Sequence, residues 1–144
     1  MKVIPKRGPR RLVALWAALR IALGVVALAN PRLASRAWVG RDAAHGVTPV
    51  VLGRAAGGRD IALGAGAVAC TLAGAPLRPW VLAGGGSDAV DAVATWSAGP
   101  DLSRGRRALF TVVSAASALT AAFLATQVDR PALPPPRHQE QDTT

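Results

Sequence analysis

Four apolar stretches fill most of the chain, and most of its charges gather between them. They run from about residue 12 to 29, 50 to 75, 80 to 97 and 108 to 128. Each has roughly the 17 to 25 residues that an α-helix needs to cross the hydrocarbon core of a bilayer. Prolines mark the borders, as suits helix ends: Pro31 follows the first stretch, Pro49 and Pro76 flank the second, and Pro79 and Pro100 flank the third. No charged residue falls between Ala108 and Val128. The pattern predicts an all-α protein, a bundle of four transmembrane helices with short loops. Residues 1–11 read as a basic N-terminus, 12–128 as the transmembrane domain and 129–144 as a tail. That tail, DRPALPPPRHQEQDTT, is proline-rich and then polar; it cannot build a core and is expected to be disordered.

Between the first two blocks lies PRLASRAWVGRDAAHGVTP. Leu33, Ala37 and Trp38, with Arg36 and Arg41, suit a short helix lying on the membrane surface. Trp80 and Trp96 bracket the third block. Sixteen residues of helical rise separate them by about 24 Å, near the spacing of the two interfacial aromatic belts. The N-terminus, basic and then apolar up to Ala29, has the outline of a cleavable secretory signal. Arg20 splits its apolar core, which favours a retained first span.

Composition narrows the function. A net charge of +9 invites a nucleic-acid partner, but the 17 basic residues are spread over termini, loops and block interiors. They form no single basic face with interleaved aromatics, so nucleic acid is not expected. Cys70 is the only cysteine and His45 and His138 are the only histidines. An intrachain disulfide is therefore impossible, and Cys70 among Ala and Thr reads as a small buried thiol. No pair of side chains has metal-ligand spacing, and nucleophile-elbow, phosphate-loop and dinucleotide motifs are absent. The sequence thus names no catalytic residue, cofactor or metal, and the reading is not that of an enzyme. The expected partners are the lipid bilayer and a second membrane protein or second copy.

With four spans, both termini share one side. Eight basic residues flank the membrane there (Lys2, Lys6, Arg7, Arg10, Arg11, Arg78, Arg130 and Arg137), against six on the other (Arg32, Arg36, Arg41, Arg104, Arg106 and Arg107). The excess, and the charges ahead of the first span, place the termini in the cytoplasm and the protein in the inner membrane.

Inside the blocks remain Arg20, Arg54 and Arg59, against Asp60, Asp88 and Asp91. An isolated charge at mid-membrane costs about 2.5 to 3.5 kcal/mol on insertion scales, so such residues pair or face a polar interior. Depth along alternating spans sets Arg20, Arg59, Asp60 and Asp88 near the midplane, with Arg54 and Asp91 closer to the outer face. The expected pairs are Arg59 or Arg20 with Asp88, and Arg54 with Asp91. Arg59 and Asp60 stand about 100° apart on a helix and can serve two different neighbours. Gly53, Gly57, Asp60, Gly64 and Ala67 recur at steps of four, three, four and three, a small-residue stripe for close helix contact, with Gly24 one turn after Arg20. The segment GGGSDAVD either packs against a helix or breaks the third span at Gly84–Gly86, as in transporter binding sites.

These residues resemble a group of small, uncharacterised actinobacterial membrane proteins. The shared outline is R-x-x-x-G in the first span (Arg20, Gly24), a following Pro31, GGRD at Gly57–Asp60, and Asp88 with Asp91 in the third span. The resemblance covers about residues 12 to 125 and implies a four-helix integral membrane protein with no assigned activity. DoxX-like four-helix proteins are a more distant similarity. Three functional classes follow. The first is a structural or accessory membrane component with an intramembrane Arg/Asp network. The second is a small proton-coupled carrier using Asp60, Asp88 and Asp91, and the third, least supported, is a membrane enzyme.

Overall fold

The structure, a computed structural model, describes residues 7–129. Lys2, Lys6 and the expected tail from residue 130 onward lie outside the described residues. Over residues 7–129 the regular elements are all helical: α1 (Arg7–Ala29), α2 (Pro31–Val39), α3 (Val47–Leu72), α4 (Arg78–Ser97) and α5 (Arg104–Gln127), with single 3₁₀ turns at Ala43–His45 and Gly99–Asp101. The four apolar stretches of the sequence correspond to α1, α3, α4 and α5, and the polar loop does contain a helix. α1 and α5 are long and apolar enough to cross a membrane. α3 and α4 have the length, but their interior charges and glycines lower their mean hydropathy.

Local chemistry sets the boundaries. Asn30 ends α1 and caps α2, its side chain accepting from the Leu33 N–H at 3.0 Å, with Pro31 in the first turn. That is where a proline costs no hydrogen bond. α3 stops at Leu72 rather than near 75, because Gly74 takes a left-handed φ of 65°. The Ala75 N–H then returns to the Cys70 carbonyl at 2.9 Å and the Gly74 N–H to the Thr71 carbonyl at 3.4 Å, the Schellman pattern. α4 starts with Pro79 in its first turn and runs unbroken through Gly84–Gly86, so the triple glycine packs rather than interrupts.

Two helix pairs make the bundle. α1 lies along α3, and α4 along α5. Glycine permits the first approach: a Cβ on Gly57 would stand 2.7 Å from the Gly24 carbonyl oxygen and 2.9 Å from the Ala27 Cβ. A Cβ on Gly64 would meet Ala17 and Ile21 as closely. In the second pair Gly85 faces Ala121. Gly53, expected in the same stripe, receives α2 instead, against Ser35 and Pro31.

Along the bundle axis the interior falls into three layers. At the end holding the start of α1, an apolar core gathers Val13, Ala17, Ala67, Leu77, Val81 and Leu124. The middle is charged. At the far end α2 is fastened by Trp38, which stacks on Phe110 at 4.8 Å and donates to Thr95 Oγ1 at 3.1 Å. Trp80 lies half-buried over Gly66 of α3, where the absent side chain leaves room for the indole. Trp96 is exposed, with the Arg107 guanidinium 5.2 Å from its ring centre.

The two ends of the described chain are also part of the fold. Arg10 donates to the Cys70 and Ala75 carbonyls at 2.9 Å each, around the C-terminal end of α3. Asp129 accepts from the Leu77 and Arg78 N–H groups at 2.6 and 2.7 Å, and stands 3.7 Å from Arg10. The sequence boundaries at 11/12 and 128/129 therefore each fall one or two residues inside a structural contact.

Candidate functional site

Midway along the bundle, a line of five charges joins three helices. Arg20 of α1 is 5% exposed. Its Nη1 donates to Asp88 Oδ1 and Oδ2 of α4 at 2.8 and 2.7 Å, and its Nη2 to Asp60 Oδ1 of α3 at 2.7 Å. Arg59 of α3 donates Nη1 and Nη2 to Asp91 Oδ1 and Oδ2 of α4 at 3.2 and 2.8 Å. Arg59 Nε also lies 3.5 Å from Asp60 Oδ1. The sequence of contacts is Asp88–Arg20–Asp60–Arg59–Asp91, charges alternating throughout. Every residue in it lies within about one turn of its helix's midpoint.

Each position follows from the helix that carries it. Arg59 and Asp60 are neighbours in sequence but project in different directions. One therefore reaches across to α4 and the other to α1, as expected. Asp88 and Asp91, three apart, share the α4 face turned toward the first helix pair. The Arg59–Asp91 contact is bidentate, the strongest arrangement for these groups. Neutral side chains complete the surroundings. Ser117 of α5 donates to Asp88 Oδ2 at 2.6 Å, Trp16 Nε1 donates to Ser117 at 3.3 Å, and the Arg20 guanidinium lies 4.9 Å from the Trp16 ring centre. The Trp16 ring fills the space left by Gly84. Thr95 ties back to the Asp91 carbonyl at 2.7 Å.

Of the two partners the sequence left open for Asp88, the structure selects Arg20. The expected Arg54–Asp91 pair is not formed. Arg54 matches Asp91 in depth, but five residues of helix turn it about 140° away from Arg59, and it is exposed. Among the described residues it has no hydrogen bond or ion pair. The balance of three cations against three carboxylates becomes two against three. Ser117 and Trp16 were not singled out in the sequence; Ser117 sits in the one charge-free block, and nothing in its spacing marks it.

The arrangement can fix helix order and register, since Arg20 ties α1 to both α3 and α4 and Arg59 ties α3 to α4. Among the described residues no three His, Cys, Asp or Glu side chains gather as metal ligands. Cys70 is half-buried at the end of α3, where its carbonyl serves Arg10. No protein-family model, curated protein or solved structure matches this chain.

Proposed function

We propose that the chain is a four-span integral membrane protein of the inner membrane, with both termini cytoplasmic, acting as a structural or accessory component rather than an enzyme. In this reading the charge network is a clasp that locks the α1/α3 pair to the α4/α5 pair. The observation that carries it is the pairing of opposites. Arg20 and Arg59 are paired with Asp60, Asp88 and Asp91 at mid-length inside, while all four long helices carry exposed apolar side chains outside. Leu15, Leu19, Val51, Val90, Val112 and Leu119 are 57% to 71% exposed. A helix at the centre of a water-soluble domain would bury such residues, yet only 28% and 22% of the apolar windows of α1 and α5 are buried.

The carrier alternative requires carboxylates held ready for a substrate or proton. The clasp is favoured because Asp60, Asp88 and Asp91 are each bonded to an arginine, and because α4 is continuous where a carrier site would break it. The motif order shared with the small actinobacterial membrane proteins consists largely of these same residues, so the proposal extends the resemblance to a role for its signature.

Membrane topology tests the reading. In a Cys70→Ala background, single cysteines replace His45, in the loop after α2, and Gln139. A membrane-impermeant maleimide should label the first on intact spheroplasts and the second only after permeabilisation. Labelling of both from one side would end the four-span model.

A further inference from the structure

We propose that the α2 end of the bundle is a docking surface for the phosphate headgroups of anionic lipids; this rests on the membrane reading above. Six arginines lie at this end: Arg32 and Arg36 on α2, Arg41 after it, and Arg104, Arg106 and Arg107 in the first turn of α5. Five are exposed and Arg107 is half-buried. Among the described residues none of the six takes part in an ion pair, and the acids near them in sequence are Asp42 and Asp101, both exposed.

The fold holds these cations in place. Pro31 and Ser35 are the buried side of α2, and Ser35 Oγ donates to the Pro49 carbonyl at 2.9 Å. Arg32 and Arg36, one turn apart, lie about 100° round the helix from that side, and Leu33, 54% exposed, stands opposite it. Arg106 Nε donates to the Ala37 carbonyl at 3.4 Å, which brings the start of α5 to the end of α2 and merges the two basic sets.

Charge and apolarity together select the occupant. Three cations in the first turn of a helix, with no acid among them, oppose the helix dipole; an anion seated there removes the conflict. A basic helix face with an apolar residue in it fits a bilayer interface, where the cations meet phosphate and the apolar side chain enters the acyl boundary. Leu33 and the exposed Trp96 suit that boundary. A nucleic acid would use the charge but would leave Leu33 in water.

The test is native mass spectrometry of the full chain in neutral detergent doped with equimolar phosphatidylglycerol and phosphatidylcholine. Phosphatidylglycerol should be retained preferentially. An arginine near an anionic surface is worth about five-fold in binding, so Arg32→Gln/Arg36→Gln/Arg104→Gln should weaken retention at least about ten-fold. These three side chains make no bond to the rest of the described chain, so folding is not at stake. The control Arg11→Gln/Arg78→Gln, at the opposite end, should leave retention unchanged. Equal retention of both lipids overturns the proposal, as do equal loss in the control, full displacement by millimolar inorganic phosphate, or preference for an oligonucleotide over the lipid. A chain that sediments with membranes but shows no lipid preference sinks this surface alone. A chain that stays in solution without detergent sinks the membrane reading with it.

Discussion

Arg20 holds two carboxylates at once, and that makes it the residue on which the middle layer depends. Removing one partner of a buried pair typically costs about 3 to 5 kcal/mol, because the other charge is stranded; a domain has only roughly 5 to 15 kcal/mol in all. Asp88→Ala should therefore lower the thermal midpoint in detergent sharply. Arg20→Ala should lower it at least as far, since Asp60 and Asp88 both lose their nearest cation. In the Arg20→Ala/Asp88→Ala double mutant part of the loss should return, with coupling of about 0.5 to 3 kcal/mol, while Arg59→Ala/Asp88→Ala should return less. Strictly additive losses in both cycles would mean that the network is not a clasp. The identity of five members was legible from residue type and depth alone, because a charge in an apolar block has few ways to be accommodated. Their pairing was legible only in part. Depth favoured Arg54 for Asp91, whereas helical face decides for Arg59, and no single-chain pattern records which face looks at which neighbour.

At the level of the helices, glycine and not leucine sets how closely α1 and α3 approach. A side chain at Gly57 meets backbone and a fixed Cβ, neither of which yields. Gly57→Val should therefore cost about 1 to 3 kcal/mol by forced repacking. Gly58 next to it has open space around its Cα, and Gly58→Ala should be neutral or stabilise by up to about 1 kcal/mol through helix propensity. Comparable thermal midpoints for the two variants would refute close glycine packing in this pair. The stripe of Gly57 and Gly64 was readable from spacing, and so were all four long helices, because proline and glycine punctuate them. Gly53 lies in the same register and yet belongs to the α2 contact. Asp129 shows the opposite limit: adjacent to a proline-rich run it reads as tail, and only the return of α5 to the start of α4 turns its carboxylate into a cap for two N–H groups.

Taken whole, the molecule is two helix pairs with unlike internal and mutual contacts. Within a pair the helices meet through small residues; between pairs they meet through the apolar layer of Val13, Ala17, Val81 and Leu124 and through arginine, aspartate and tryptophan. This contrast could not be read from the sequence, where the small-residue stripe and the charges occupy the same stretch of α3. It has a consequence in time. The carboxylates that neutralise Arg20 lie 40 and 68 residues downstream of it. At roughly 5 to 20 residues per second of synthesis, the ribosome makes α1 seconds before it makes Asp60, and later still Asp88. In the proposed membrane-spanning arrangement, the first helix through that interval carries a lone cation whose burial costs about 2.5 to 3.5 kcal/mol. A truncated chain ending after α2 should accordingly insert less completely than its Arg20→Leu counterpart, as scored by a glycosylation reporter. Extending the chain through α3 should close the gap, and doing so with Asp60→Ala should reopen it. Equal insertion of the two truncated chains would show that Arg20 never waits. If it does wait, assembly order is written into the distance between one arginine and its aspartates, and the first helix settles only when the third and fourth arrive.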